Sequence, residues 1–129
     1  MFLLDTDLCV AHLRGQRAAR LWLEAHAPDQ VRVSSVTRGE LLVGVHKAPK
    51  VESALAVLNL FLSPFVSLPF EDRAADQYGE LRAKLERQGQ KIGPHDLMIA
   101  AIARVHGLAV VTRNVREFER VPGITVAPW

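Results

Sequence analysis

The chain has 129 residues, 49% of them hydrophobic and 23% charged, a balance that suits one globular domain and excludes a disordered tract. Its apolar runs fall far short of the roughly 20 residues a membrane-spanning helix needs, and its start lacks a basic region followed by a long apolar core, so the expected location is the cytoplasm. A single cysteine, Cys9, excludes an internal disulfide and a cysteine-based metal cluster, while a net charge of +2 permits an anionic partner without requiring one.

Met1 to Asp7, MFLLDTD, reads as a buried strand that emerges into two carboxylates one residue apart. Asp7 to Leu13 follows as a short helix stopped by Gly15, and Arg17 to His26 as a second helix with Ala18, Leu21, Trp22 and Ala25 on one face. Val31 to Ser34 is a second strand. From Arg38 to Lys47 a helix presents Leu41, Leu42 and Val45, and Thr37-x-x-Glu40 has the spacing of a capping box. Val51, Leu55, Leu58 and Leu62 predict the next helix, which Ser63-Pro64 ends before a third strand at Phe65 to Leu68.

Glu71 to Gln88 is a surface helix with Ala74, Tyr78, Leu81 and Leu85 in one stripe and Glu80 paired with Lys84 on the other side. Gly93-Pro94 opens a helix that runs to His106 and is apolar nearly all round from Leu97 to Ala103, so it packs inside and ends at Gly107. Leu108 to Thr112 is a fourth strand, Arg113-Asn114 a polar turn leading to one helical turn through Phe118, and Ile124 to Ala127 a last strand. Strands alternating with helices predict an α/β fold, a parallel sheet covered on both faces, as one domain over residues 1–129.

Three acids stand where elements begin or end: Asp5 after the first strand, Glu40 in the first turn of a helix, and Asp96 just inside the helix opened by Pro94. Asn114 follows the fourth strand. In a parallel sheet such positions share one edge, where carboxylates repel one another unless a divalent cation sits between them. Hard oxygen donors without paired histidine or cysteine favour Mg²⁺ or Mn²⁺ over zinc, and point to metal-assisted hydrolysis of a phosphodiester. Each residue also has a plain structural reading: Asp5 as a helix cap, Glu40 as the capping-box partner, Asp96 as a favourable charge at a helix start, Asn114 as a turn residue. His12, His46 and His95 share no spacing and read as surface or helix-end residues.

The stretches LLDTD at 3–7, VSSVTRGELLVGV at 33–45, QGQKIGPHDLMIAAIA at 88–103 and VVTRNVREFERVPGI at 110–124 together resemble PIN-domain ribonucleases of the VapC toxin type, over essentially the whole chain down to Trp129. The resemblance implies a three-layer α/β/α domain with a parallel five-stranded sheet, a Mg²⁺ or Mn²⁺ site, endonucleolytic cleavage of RNA, a VapB-type antitoxin as partner and a homodimer. It implies tRNA ahead of ribosomal RNA as substrate, and the segment from Arg82 to Trp129 is most similar to members that cut initiator tRNA. Residue by residue it implies Asp5 and Asp96 as metal ligands, and Glu40 as a ligand directly or through water.

The chain departs from that pattern twice. The family's fourth position is often Asp, where this chain has Asn114, and Glu117 supplies the missing charge if that turn folds inward. The residue after the first Asp-Thr is usually Asn, where this chain has Asp7, read either as an added ligand or as a cap of the first helix. Thr6 and Thr112 are candidate hydroxyls for positioning ligands or phosphate. Two other functions stay open: a haloacid-dehalogenase-like phosphotransferase with Asp5 as nucleophile, and a catalytically decayed module that binds RNA or antitoxin.

Overall fold

The computed structural model describes residues 1–129 and contains all five expected strands. They are β1 (Phe2–Leu4), β2 (Val31–Ser34), β3 (Val66–Leu68), β4 (Ala109–Val111) and β5 (Thr125–Ala127), all parallel, in the order β3-β2-β1-β4-β5. Seven helices carry the connections: α1 (Thr6–Leu13), α2 (Arg17–Glu24), α3 (Ser35–His46), α4 (Val51–Leu62), α5 (Asp72–Arg87), α6 (Pro94–His106) and α7 (Val115–Phe118). The chain builds outward from β1 to β3, then crosses back to lay β4 and β5 on the other side of β1. The gap between β1 and β4 is therefore the point where strand order reverses, and crevices in doubly wound sheets open there.

Alternation along the strands sorts the core into two layers. Leu3 and Val110 point to the face covered by α5, α6 and α7, where they meet Leu81, Leu85, Ile99, Ile102 and Phe118. Leu4, Val31, Val33 and Val111 point to the opposite face, against Leu8 and Cys9 of α1, Ala19 of α2, Leu41 of α3 and Leu58 of α4. The expectation that α6 packs inside holds, since Ile99 to Ala103 are fully buried. Gly107 ends that helix in the left-handed conformation (φ 64°), which glycine adopts without steric cost.

Three local expectations are corrected. The buried position of α2 is Ala19, while Ala18 and Leu21 are exposed. Phe2 stands edge-on to both Trp22 and His26, at 5.2 and 4.9 Å between ring centres, and this aromatic contact sets the rotation of the helix. On α5 the ion pair is Arg82–Glu86 at 2.9 Å and not Glu80–Lys84, because the Tyr78 hydroxyl also accepts from Arg82 at 2.8 Å and holds it on that line of the helix. The capping box fails as well. α3 begins at Ser35, Ser34 is its cap with Oγ accepting from Thr37 N at 3.1 Å, and Glu40 lies in the second turn.

Candidate active site

Strand register determines the site's first three residues. Leu4 pairs with both Val33 and Val111, so the residues that follow, Asp5, Ser34 and Thr112, stand level at the carboxyl edge of three adjacent strands. All three are buried. Asp5 Oδ1 accepts from Thr6 N at 2.8 Å and Oδ2 from the Thr112 hydroxyl at 2.7 Å. Asp5 thus caps α1 and faces the crevice at once, so its two readings are compatible. With both oxygens held and the residue 4% exposed, Asp5 is a fixed carboxylate at the floor of the crevice.

The edge gathers the other acids. Asp96 lies in the first turn of α6, which Pro94 opens at a position that tolerates a missing N–H. The turn after β4 does fold inward: Glu117 Oε1 accepts from Gly93 N at 2.8 Å, and Oε2 accepts from the Asn114 side-chain amide at 2.6 Å. The same amide nitrogen is 3.5 Å from Asp96 Oδ2. Asn114 is therefore a donor set between two carboxylates. Glu40 joins through α1, where the Thr6 hydroxyl donates to Glu40 Oε1 at 2.8 Å and lies 3.0 Å from the Thr37 hydroxyl. Glu40 Oε2 is 3.5 Å from His95 Nδ1.

Asp7 does not cap α1. Its Oδ1 accepts from Trp129 Nε1 at 3.0 Å, its Oδ2 accepts from Arg113 N at 2.8 Å, and Thr112 Oγ1 is 3.2 Å from Oδ2. The Arg113 guanidinium lies over the Trp129 ring, 3.7 Å from its centre. Sequence reasoning read Thr37 as a helix cap and His95 as a surface or helix-end residue and gave Trp129 no role, since each becomes part of the site only through contacts with residues far away in the chain. The one available signal was the pairing of polar residues with strand ends.

The electrostatics follow from crowding. Burial pushes the Asp5 carboxyl up to about 7; the charges of Asp7 and Asp96 add to the rise, and the Thr112 and Thr6 hydrogen bonds oppose it. Burial likewise raises Asp96 to about 6, with Glu117, Glu40 and Asp7 adding. Glu117 goes the other way, held below its ordinary value by the Asn114 amide and the Gly93 N–H. The result is an acidic cluster short of positive charge, built only of hard oxygen donors. No three of its acid or imidazole side chains converge closely enough to enclose one ion by themselves. That arrangement fits a small divalent cation that binds through one or two carboxylates and keeps several waters.

A family model described as PIN domain matches residues 2–124. The chain is similar to a protein of Shigella flexneri named tRNA(fMet)-specific endonuclease VapC, at 40% identity over 128 residues that span 99% of this chain and 97% of the relative. A Salmonella typhimurium protein of the same name is 37% identical, again over 99% of this chain and 97% of the relative. Among solved structures, DNA-bound VapBC from Salmonella typhimurium superposes with a TM-score of 0.91 at 39% identity, covering 99% of this chain and 97% of that one. VapBC2 from Rickettsia felis, bound to a promoter DNA fragment, also gives 0.91, at 34% identity and coverages of 99% and 98%.

Proposed function

The chain belongs to the PIN-domain family and to its VapC group, and from that premise we propose that it is the toxin of a toxin-antitoxin pair, an endoribonuclease that hydrolyses RNA phosphodiester bonds. The observation that carries the reading is the convergence of Asp5, Asp96, Glu117, Glu40 and Asp7 on one sheet edge beside the β1/β4 switch point. Residues 1–129 act as a single PIN domain, working in the cytoplasm. No helix is long and apolar enough to cross a membrane.

Ribonucleases of this family are metal-dependent in general. We assign Mg²⁺ or Mn²⁺ here, with Asp5 and Asp96 as direct ligands, Glu40 as a ligand directly or through water, and Glu117 as the charge that completes the set. When bound, such an ion lowers the pKa of a water and stabilises the leaving oxygen. The chain's own contribution is to hold its ligands still. Thr112 and Thr6 N fix both oxygens of Asp5, and the Thr6 hydroxyl fixes Glu40. Asn114 separates Glu117 from Asp96, which lets both approach without a proton between them. Asp7 adds charge to the cluster while Trp129 and Arg113 occupy its oxygens.

The Shigella and Salmonella relatives are named for tRNA(fMet), so we assign an initiator tRNA as substrate ahead of ribosomal RNA; its anticodon loop offers the splayed single strand that proteins read in RNA. The VapBC complexes among the similar structures support a VapB-type antitoxin as partner, and a homodimer is the expected assembly. The deciding experiment incubates initiator tRNA and bulk RNA with the purified chain and with Asp5→Asn and Asp96→Asn, each loaded with Mg²⁺ or Mn²⁺. Cleavage of initiator tRNA by the unsubstituted chain alone is the expected result. Intact RNA with all three folded proteins overturns the nuclease and leaves the decayed, RNA-binding or antitoxin-binding module.

A further inference from the structure

A cavity of about 300 Å³ opens beside the acid cluster, lined among others by Thr6, Asp7, Arg14, Gln16, Arg113 and Trp129. Asp7 is its only acid, and both its oxygens are already hydrogen-bonded: one accepts from the indole of Trp129 and the other from the backbone of Arg113. The two arginines are differently placed. Neither has a carboxylate within ion-pair distance. Arg14 closes the carboxyl end of α1. Arg113 is exposed, yet its guanidinium carbon lies over the Trp129 ring, 3.7 Å from its centre, with Nη1 3.4 Å from Gln16 Oε1.

A guanidinium carries five N–H donors in a planar fork, and stacking on an aromatic face fixes the plane of that fork without using the donors. Arg113 has spent one of them on Gln16. Beside the unpaired Arg14 it presents unneutralised donors at the wall of a cavity whose other wall, Thr6 and Asp7, belongs to the acid cluster. Phosphate oxygens match such forks in charge and geometry.

We propose that this cavity is a second phosphate-binding subsite, in which Arg14 and Arg113 hold an RNA backbone phosphate flanking the one cleaved at the acid cluster, and Trp129 is the positioning residue that fixes Arg113. The proposal deepens the ribonuclease reading and rests on it for the identity of the ligand. An acidic peptide would present the same anionic oxygens, but here it would also face the carboxylates next door. A nucleic acid strand instead brings regularly spaced phosphates that alternate between guanidinium and metal.

The test measures binding separately from cleavage. In the Asp96→Asn background with Mg²⁺, fluorescence anisotropy follows initiator tRNA and a short mixed-sequence oligoribonucleotide over a range of salt. Arg113→Gln and Arg14→Gln each weaken both RNAs several-fold and flatten the dependence of log affinity on log salt by roughly 0.7 for each phosphate no longer held. Trp129→Ala weakens binding as Arg113→Gln does, adds nothing to it in the double variant, and is rescued by Trp129→Phe. In the cleaving protein, Arg113→Gln raises KM with kcat kept.

Unchanged affinity and salt slope in the two folded arginine variants overturn the subsite. A Trp129→Ala loss that adds to that of Arg113→Gln overturns the positioning role of Trp129, whose indole also holds Asp7. Salt-sensitive RNA binding through Arg14 and Arg113 by a chain that cleaves nothing leaves the subsite standing and fails the nuclease.

Discussion

The Thr112 hydroxyl donates to Asp5 Oδ2 at 2.7 Å, joining the ends of β4 and β1 across 107 positions of sequence. Both partners are buried, so the bond acts on a carboxylate that has little water to replace it. Thr112→Val keeps the shape and removes the donor. At pH 8, where Asp5 is ionised, urea unfolding should show a loss of about 1.5–3 kcal/mol, the range for a hydrogen bond to a charged group. Asp5 should also titrate above its present value of about 7 in the metal-free protein, and Thr112→Ser should reverse both effects. An unchanged Asp5 titration by NMR would take Thr112 out of the site.

Acid crowding makes stability depend on pH when metal is removed. The Asp5 carboxyl stands near 7 when folded and at its ordinary 3.8 when unfolded, so between those values the folded chain keeps a proton the unfolded chain has released. Stability contributed by this group is therefore present below about pH 4 and is lost as pH rises to about 7. Asp96, raised to about 6, adds a loss in the same direction over a narrower window. In chelator, denaturation midpoints should fall across this range. Asp5→Asn should remove the Asp5 part and be more stable than the unsubstituted chain at pH 8, while Mg²⁺ or Mn²⁺ should restore only the latter. A flat profile for the unsubstituted chain would contradict the crowding.

Capping and chemistry separate at α3. Ser34→Ala should cost about 1 kcal/mol, the usual worth of an N-cap, because Ser34 Oγ is the acceptor for Thr37 N. Glu40→Gln should leave thermal stability nearly unchanged while strongly reducing RNA cleavage. If Glu40 were the capping partner its sequence spacing suggests, Glu40→Ala would carry that cost in place of Ser34→Ala, since glutamine would still cap.

That contrast shows what could be read from the chain. The parallel α/β order was legible because apolar runs, Gly15, Gly107 and Pro94 mark elements by local chemistry. Asp5 and Asp96 were legible because an acid at a strand end or a helix start is conspicuous against an apolar run. The start of α3 was misplaced since Ser34, Ser35 and Thr37 are all plausible caps, and the choice is made by the register that puts Ser34 level with Asp5. The places of Asp7 and Trp129 depended on a contact spanning 122 positions, which no local pattern encodes. Likewise, the face of α2 followed its contact with Phe2 of β1 instead of its own periodicity.

Asn114 is the last position to test, and its geometry gives the substitution two opposed effects. Its amide donates to Glu117 Oε2 at 2.6 Å and stands 3.5 Å from Asp96 Oδ2, so Asn114→Asp replaces a donor between two carboxylates with a third carboxylate. Without metal, Glu117 loses the hydrogen bond that chiefly keeps its pKa low, and Asp96 exchanges a weakly lowering amide for a repulsive neighbour. The metal-free variant should therefore unfold earlier than the unsubstituted chain at pH 8, and by less at pH 5, where part of the added charge is protonated. With metal, the same added charge becomes attraction. Calorimetry should show tighter Mg²⁺ or Mn²⁺ binding, and the melting-temperature rise on adding metal should exceed that of the unsubstituted chain. If affinity is unchanged while metal-free stability falls, Asn114 lies outside the metal's reach and serves only as a spacer between Asp96 and Glu117.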